Sequence, residues 1–395
     1  MSTAGSILPT SPQALTVRQY QALASRTDRT ATRSSRTLDF PLLGLFGEAG
    51  SLLSELKKKQ RDADSYIGYE ASVVEELGDV LWYLACLASR AEIDLGSLAQ
   101  AIACEISTKG GDNTFFALQP DQKISGPQKP EKFEGTLIRL AAEVGTLVAD
   151  FRKEAIFDDR ALMPHVNAIF RTLIEAANDA GVSLADAATK NLQKIFDRWP
   201  QDKVYPPLFD EAQDDPDERL PRIITFEIFE KVVNNEVYVF QRCNGIFVGD
   251  RLTDNRQEKD DYRFHDVFHM AYAAKLGWSP VIRALLRRKR KSTPEIDEAQ
   301  DGARAILIEE GVSTWIFNHA TRMNYFENLT SLDYGLLKAI RELVAGYEVA
   351  ECQLWLWEEA ILSGFEVFRA LQQNRRGIVT ANLDERSLSF EAMPT

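Results

Sequence analysis

Apolar residues recur at three- and four-residue spacing through Val17–Ala24, Leu42–Gln60, Ala71–Ala91 and Leu95–Ser107. That is the period of a helix with one face turned to a core. Four such segments with short connections predict a helical bundle. Gln119–Glu131 holds three prolines and one glycine and reads as a linker. A second helical block follows and looks like a worn copy of the first. Ala142–Asp150 aligns with Gly47–Glu55, placing Glu143 on Glu48, Thr146 on Ser51 and Asp150 on Glu55. Gly181–Ala187 aligns with Glu92–Leu98, which sets His165 opposite Glu76 and Ala168 opposite Asp79. Pro206–Arg222 is acidic and proline-rich, a boundary. Beyond it, Ile223–Phe229 and Glu236–Gln241 favour strands, with a hairpin turn at Cys243-Asn244-Gly245 before Ile246–Val248. The periodicity then predicts helices over Tyr262–Leu276, Ser279–Leu286, Asp297–His319 and Leu332–Gln373, with the last twenty residues a loose tail.

Acidic residues interrupt this pattern at two places. Glu48 and Glu55 are two turns apart on one helix face, and Glu76 and Asp79 are one turn apart on the next. Glu75 points elsewhere by helical geometry. Carboxylates on the core side of two helices are costly unless something binds them. For an oxygen-only cluster that partner is Mg²⁺, with Mn²⁺ as a substitute, and Mg²⁺ between carboxylates points to phosphate chemistry. The plain alternative is a polar helix face laced with salt bridges. Lys57-Lys58-Lys59 is either a solvated face or, through Lys58 and Lys59, a contact for phosphate oxygens. Trp82 and Tyr83 either pack in the core or stack on a base.

Residues 13–107 resemble the MazG-like family of all-α nucleoside triphosphate pyrophosphohydrolases. The resemblance lies in Tyr20-Gln21 with Arg26-Thr27-Asp28, in Leu43–Gly50, and in Glu75–Leu84. Asn191–Pro200 is similar to the family's closing segment and falls in the second copy. The family pairs an ExxE on one helix with an ExxD on the next. Here Glu76…Asp79 is intact, but Ser51 stands where the second glutamate of the first motif belongs. The resemblance implies a mainly α fold: tandem MazG-like four-helix bundles at 1–118 and 119–205, the second degenerate. A linker at 206–222 and a mainly helical C-terminal domain with a short β-hairpin at 223–395 complete the expected organisation. It implies hydrolysis of an NTP or dNTP to the monophosphate and pyrophosphate. Glu48, Glu76 and Asp79 would hold Mg²⁺, and Glu55 would add a ligand or orient the attacking water. Family members usually dimerise, so a homo-oligomer is expected, and a tandem repeat offers the equivalent pairing within one chain. The alternative is a degenerate nucleotide-binding or sensing protein whose tandem repeat regulates a metal site in the C-terminal domain.

That domain holds the other dense polar cluster, Arg263–His269, with two of the chain's four histidines. His265 and His269 share a helix face at a metal-chelating spacing, beside Asp266. Glu309 and Glu310 lie downstream in an apolar helix, and Glu348 and Glu351 form another i, i+3 pair. Two readings stand: a buried, hydrogen-bonded histidine pair, or a metal or phosphate site built from His265, His269 and Glu309 or Glu310. An HD-type phosphohydrolase would need another upstream histidine, and His165 lies in a different domain. Arg287–Lys291 is the strongest basic run and is expected on an exposed loop.

A net charge of −13 over 395 residues argues against a nucleic-acid partner, which needs a basic footprint. A nucleotide–metal complex needs only a local basic patch. Cys86, Cys104, Cys243 and Cys352 form no CxxC; the three in helix-like stretches are expected to be buried free thiols, which fits a reducing cytoplasm. Met1 to Arg18 has no apolar h-region and no run approaches 18 apolar residues, so neither a signal peptide nor a membrane partner is expected.

Overall fold

The computed structural model describes residues 14–30, 38–106, 112–120, 130–153 and 159–393, and the chain divides into two compact units, Met1–Trp199 and Pro200–Thr395. The first unit is built from helices α1 (Val17–Thr27), α2 (Asp39–Asp62), α3 (Tyr69–Arg90), α4 (Leu95–Ile106), α5 (Pro130–Arg152), α6 (Asp159–Ala180) and α7 (Leu184–Arg198). Helix α1 starts at a capping box: the Thr16 hydroxyl accepts from the Gln19 N–H while the Gln19 side chain accepts from the Thr16 N–H. Ser183 caps α7 in the same way, accepting from the Asp186 N–H.

The two helical blocks share one core. Leu45, Leu52, Leu77, Leu81 and Leu84 from the first pack in one cluster with Leu140, Val144, Leu147, Ile169 and Phe170 from the second. Helix α5 lies on α2, and α7 lies on α3. The α3–α7 contact is close enough that a Cβ at Gly78 would stand 2.8 Å from the Ala187 carbonyl oxygen and 2.9 Å from the Asn191 Cβ. Most of the expected 119–131 linker lies outside the described residues. Its first residue is structural: the Gln119 amide donates to Asn178 and to the Val182 carbonyl, and its oxygen accepts from the Leu184 N–H.

The second unit opens with strands β1 (Ile223–Val233), β2 (Glu236–Cys243) and β3 (Ile246–Phe247). Both hairpins turn through residue pairs with positive φ, Asn234-Asn235 and Asn244-Gly245, as tight two-residue turns require. Helices α8 (Asp266–Leu276), α9 (Pro280–Leu285), α10 (Pro294–Ala299), α11 (Ala303–Ala320), α12 (Tyr334–Leu343) and α13 (Leu354–Asn374) follow, then β4 (Arg376–Asn382) and β5 (Ser387–Ala392). The antiparallel sheet runs β3-β2-β1-β4-β5. Helix α8 is apolar on nearly every side and is buried from Asp266 to Ala274. It packs along α13 and against the sheet, which draws its histidines into the interior.

Four expectations are corrected here. The C-terminal residues form β4 and β5, with β4 alternating buried and half-buried side chains against β1. The long helix expected over Leu332–Gln373 is two, α12 and α13, separated by a 3₁₀ turn at Glu348–Glu351. Cys104 is exposed, whereas Cys86 and Cys352 are buried; all four cysteines are free thiols. The basic run is not an exposed loop throughout: Arg290 is 1% exposed, with its guanidinium engaged by both Asp301 and Glu348. Among the described residues no helix is long and apolar enough to cross a membrane.

The acidic segment 206–222 is tied into the second unit by Asp210. Its buried carboxylate accepts from the Leu220 N–H at 2.7 Å, from Arg222 at 2.8 Å and from Arg283 at 3.0 Å. Burial alone pushes this carboxyl up, but the Leu220 N–H and the two guanidiniums outweigh it and hold the group below its ordinary range. A depressed folded value means the contribution to stability is present above the unfolded value of about 3.9 and is lost as pH falls through the folded one. Asp210→Asn should therefore cost about 3 kcal/mol at pH 7, since it takes one carboxylate from Arg222 and from the buried Arg283, leaving Arg283 with Asp301 at 3.7 Å. Denaturant midpoints followed by tryptophan fluorescence should show the gap shrinking as the pH approaches 2. In the first unit, Gly78→Ala should cost about 1–3 kcal/mol by forcing α3 and α7 apart; an unchanged melting temperature would show that the two helices are not held at this distance.

Candidate functional site

Helix α2 carries Glu48, and α3 carries Glu76 and Asp79 one turn apart. Where the two helices pack, one carboxylate oxygen from each of the three lies within 4.8 Å of the others. Glu48 and Glu76 are hydrogen-bonded to each other, which requires a shared proton. Burial, followed by the charges of Glu48 and Asp79, pushes Glu76 up to about 8. Burial and the Asp79 charge raise Glu48 as well, against hydrogen bonds from Glu76 and from Ser51. Asp79 is raised by burial despite its cationic neighbour. The second carboxylate oxygen of Glu76 is shut off from solvent and has no hydrogen-bond partner. An orphaned oxygen among three carboxylates is the donor set a hard divalent cation takes, so these residues fit Mg²⁺ or Mn²⁺.

The second helical block completes this cluster. From α7, the Lys194 ammonium sits 2.5 Å from both Asp79 oxygens, and the Asn191 amide donates to one of them at 2.8 Å. Lys194 also reaches Glu75 at 3.5 Å. The Asn191 carbonyl accepts from the buried Tyr20 hydroxyl at 2.9 Å. Sequence alone did not place Asn191, Lys194 or Tyr20 at the site. The available signal was the i, i+3 spacing of Asn191 and Lys194 on one face of an amphipathic helix.

Other expected site residues stand elsewhere. Glu55 is not in the trio; it is buried, accepts from Lys58 at 2.6 Å, and also accepts from the Tyr66 hydroxyl. Lys59 donates to the Ala63 carbonyl at 2.9 Å. Trp82 is half-buried and donates to the Thr27 hydroxyl at 3.1 Å. Tyr83 lies against α2, where only a glycine at position 44 leaves room for its ring. In the second helical block, His165 stands 3.6 Å from Asp150.

In the second unit, His265, Asp266 and His269 also bring three ligand atoms within 4.8 Å of one another. His269 is fully buried, with Nδ1 2.8 Å from Glu309 and Nε2 3.5 Å from Glu310. Burial alone lowers this histidine's pKa, but Glu309 and Glu310 outweigh it and raise it well above the ordinary value. Glu309 is in turn held by the Ser279 hydroxyl at 2.7 Å and the Val281 N–H at 2.8 Å.

Both clusters lie in segments that match known protein families. A family model for the MazG nucleotide pyrophosphohydrolase domain matches residues 37–109, which hold the carboxylate trio. A model for the MazG C-terminal domain matches 204–394, which hold the histidine cluster. The chain is 40% identical over 65 residues, 16% of its length, to the Gene 37 protein of Mycobacterium phage L5. It spans only 57% of that relative. No solved structure matches. Residues 37–109 thus match the MazG nucleotide pyrophosphohydrolase domain and residues 204–394 the MazG C-terminal domain.

Proposed function

We propose that the first unit is an Mg²⁺-dependent hydrolase that cleaves an NTP or dNTP to the monophosphate and pyrophosphate. The observation that carries this reading is the Glu48–Glu76–Asp79 cluster inside the matched pyrophosphohydrolase segment. These three residues would hold Mg²⁺, with Mn²⁺ as a substitute; the bound ion would stabilise charge developing on the phosphate oxygens. The proton shared by Glu48 and Glu76 must leave before both can act as ligands. Asn191 and Lys194 fix the orientation of Asp79, and the Lys194 ammonium brings positive charge to the point where phosphate oxygens would gather. The half-buried Trp82 and Tyr83, on the turn after Asp79, are the proposed base contacts. Lys58 and Lys59 are proposed to exchange their present partners for phosphate oxygens.

Two observations favour a second reading, binding without turnover. Ser51 supplies no charge where the family has a glutamate, and Lys194 already neutralises Asp79. Incubating the protein with a panel of NTPs and dNTPs and Mg²⁺ or Mn²⁺, with chromatography of the products, separates the two. Monophosphate and pyrophosphate are expected from the wild type, with a loss of at least about 100-fold in Glu76→Gln and Asp79→Asn. Nucleotide binding with no product would establish the second reading. Hydrolysis lost only when His265 and His269 are substituted would move the activity out of the first unit.

A further inference from the structure

We propose that the second unit has a metal site of its own, in which His265 Nε2, Asp266 Oδ1, His269 Nε2 and Glu310 Oε2 bind one divalent first-row transition ion of the Zn²⁺ type. This site is independent of the chemistry of the first unit.

The histidine tautomers present the right atoms. His265 Nδ1 is 2.9 Å from the Tyr262 carbonyl, which can only accept, so Nδ1 carries the hydrogen. A neutral ring then has its lone pair on Nε2. Tyr262 also stacks on the ring at 4.4 Å and fixes its plane. His269 Nδ1 faces Glu309, a carboxylate already accepting from Ser279 and Val281, so here too Nδ1 donates and Nε2 is left with the lone pair. This carboxylate–histidine arrangement orients metal-binding imidazoles. Asp266 is set similarly: the Gln241 amide donates to its Oδ2, and Oδ1 faces His265.

The two Nε2 atoms then meet oxygen. His265 Nε2 is 3.2 Å from Asp266 Oδ1 and 3.8 Å from Glu310 Oε2, and His269 Nε2 is 3.5 Å from Glu310 Oε2. Four ligands about 2.1 Å from a tetrahedral ion lie about 3.4 Å from one another, so these separations suit such an ion after small shifts. His269 Nε2 is sealed from solvent and makes no hydrogen bond, and it belongs to the most deeply buried side chain of the four. Two imidazoles with two carboxylates suit Zn²⁺ and its neighbours rather than Mg²⁺ or Ca²⁺. Glu310 is the one ligand open to solvent, its side chain 38% exposed, and so marks the side on which an ion would enter. Glu309, expected from its position in the chain as a possible ligand, instead holds His269 in place through Nδ1. The competing state is a protonated His269 bridging Glu309 and Glu310, with no metal.

The test is metal content of the full-length chain, stripped with a chelator and dialysed against Zn²⁺ with Mg²⁺ in excess to mask the carboxylate trio. One Zn²⁺ per chain is expected for the wild type and for Glu76→Gln. Binding should weaken at least tenfold in His265→Gln and in the partly exposed Glu310→Gln, and Zn²⁺ should raise the melting temperature of the wild type but not of these variants. Loading the wild type with Co²⁺ guards against a variant that misfolds. Strong visible absorption of a four-coordinate ion supports the site, and the weak spectrum of the hydrated ion overturns it. No bound ion in the wild type, or equal binding in His265→Gln and Glu310→Gln, overturns the proposal.

Discussion

Ionisable groups inside a helical core must be neutralised by neighbours, and both units of this protein are arranged around that demand. In the first, Glu48 and Glu76 share a proton and Asp79 takes an ammonium from α7. In the second, Asp210 sits between Arg222 and Arg283, and Arg290 between Asp301 and Glu348. Arg263 is buried against Asp254, and His269 against Glu309. The structural pairs are complete: each carboxylate meets guanidinium or backbone donors. At the two candidate sites, Glu76 and His269 each keep a sealed polar atom with no hydrogen-bond partner.

The second helical block has His165 and Ala168 where the aligned first block has Glu76 and Asp79, yet it contributes to the carboxylate cluster. Its helix α7 packs on α3, and the missing Cβ at Gly78 lets the two backbones approach closely enough for Asn191 and Lys194 to reach Asp79. The cluster therefore draws on both helical blocks of the first unit. Among the described residues, Glu143, Asp150 and His165 of this block form no cluster of the kind that Glu48, Glu76 and Asp79 build.

Helical periodicity made α1 to α4 readable within a few residues, because each buries one continuous face. The carboxylate trio was readable for the opposite reason, as charge placed against that pattern. Glu55 was misplaced because sharing a face is not sharing a height: seven residues carry it about 10 Å along the axis from Glu48. Its partners, Lys58 and Tyr66, are local. Lys194 was hidden because its role depends on packing across 115 residues of chain. Arg290 looked like part of a solvated run because Asp301 and Glu348 give no sign in sequence that they converge on it. The strands β4 and β5 are short and follow a long helix, where brief alternation reads as irregular.

The charge at the trio bears on whether Ser51 is a lesion. Glu75 aside, which Lys194 also reaches at 3.5 Å, three carboxylates with one shared proton and the Lys194 ammonium sum to a single negative charge. Exchanging that proton for a dication would bring the trio and Lys194 to neutrality, with Glu75 at its edge. A fourth carboxylate at position 51 would leave it negative again, unless Lys194 were matched by a further cation. Serine at 51 and lysine at 194 are thus consistent with one another: the chain has fewer anionic ligands and a fixed cation in the same place. The departure from the family motif therefore favours a site balanced for a single ion, with the Ser51 hydroxyl supporting Glu48 by a hydrogen bond rather than by charge.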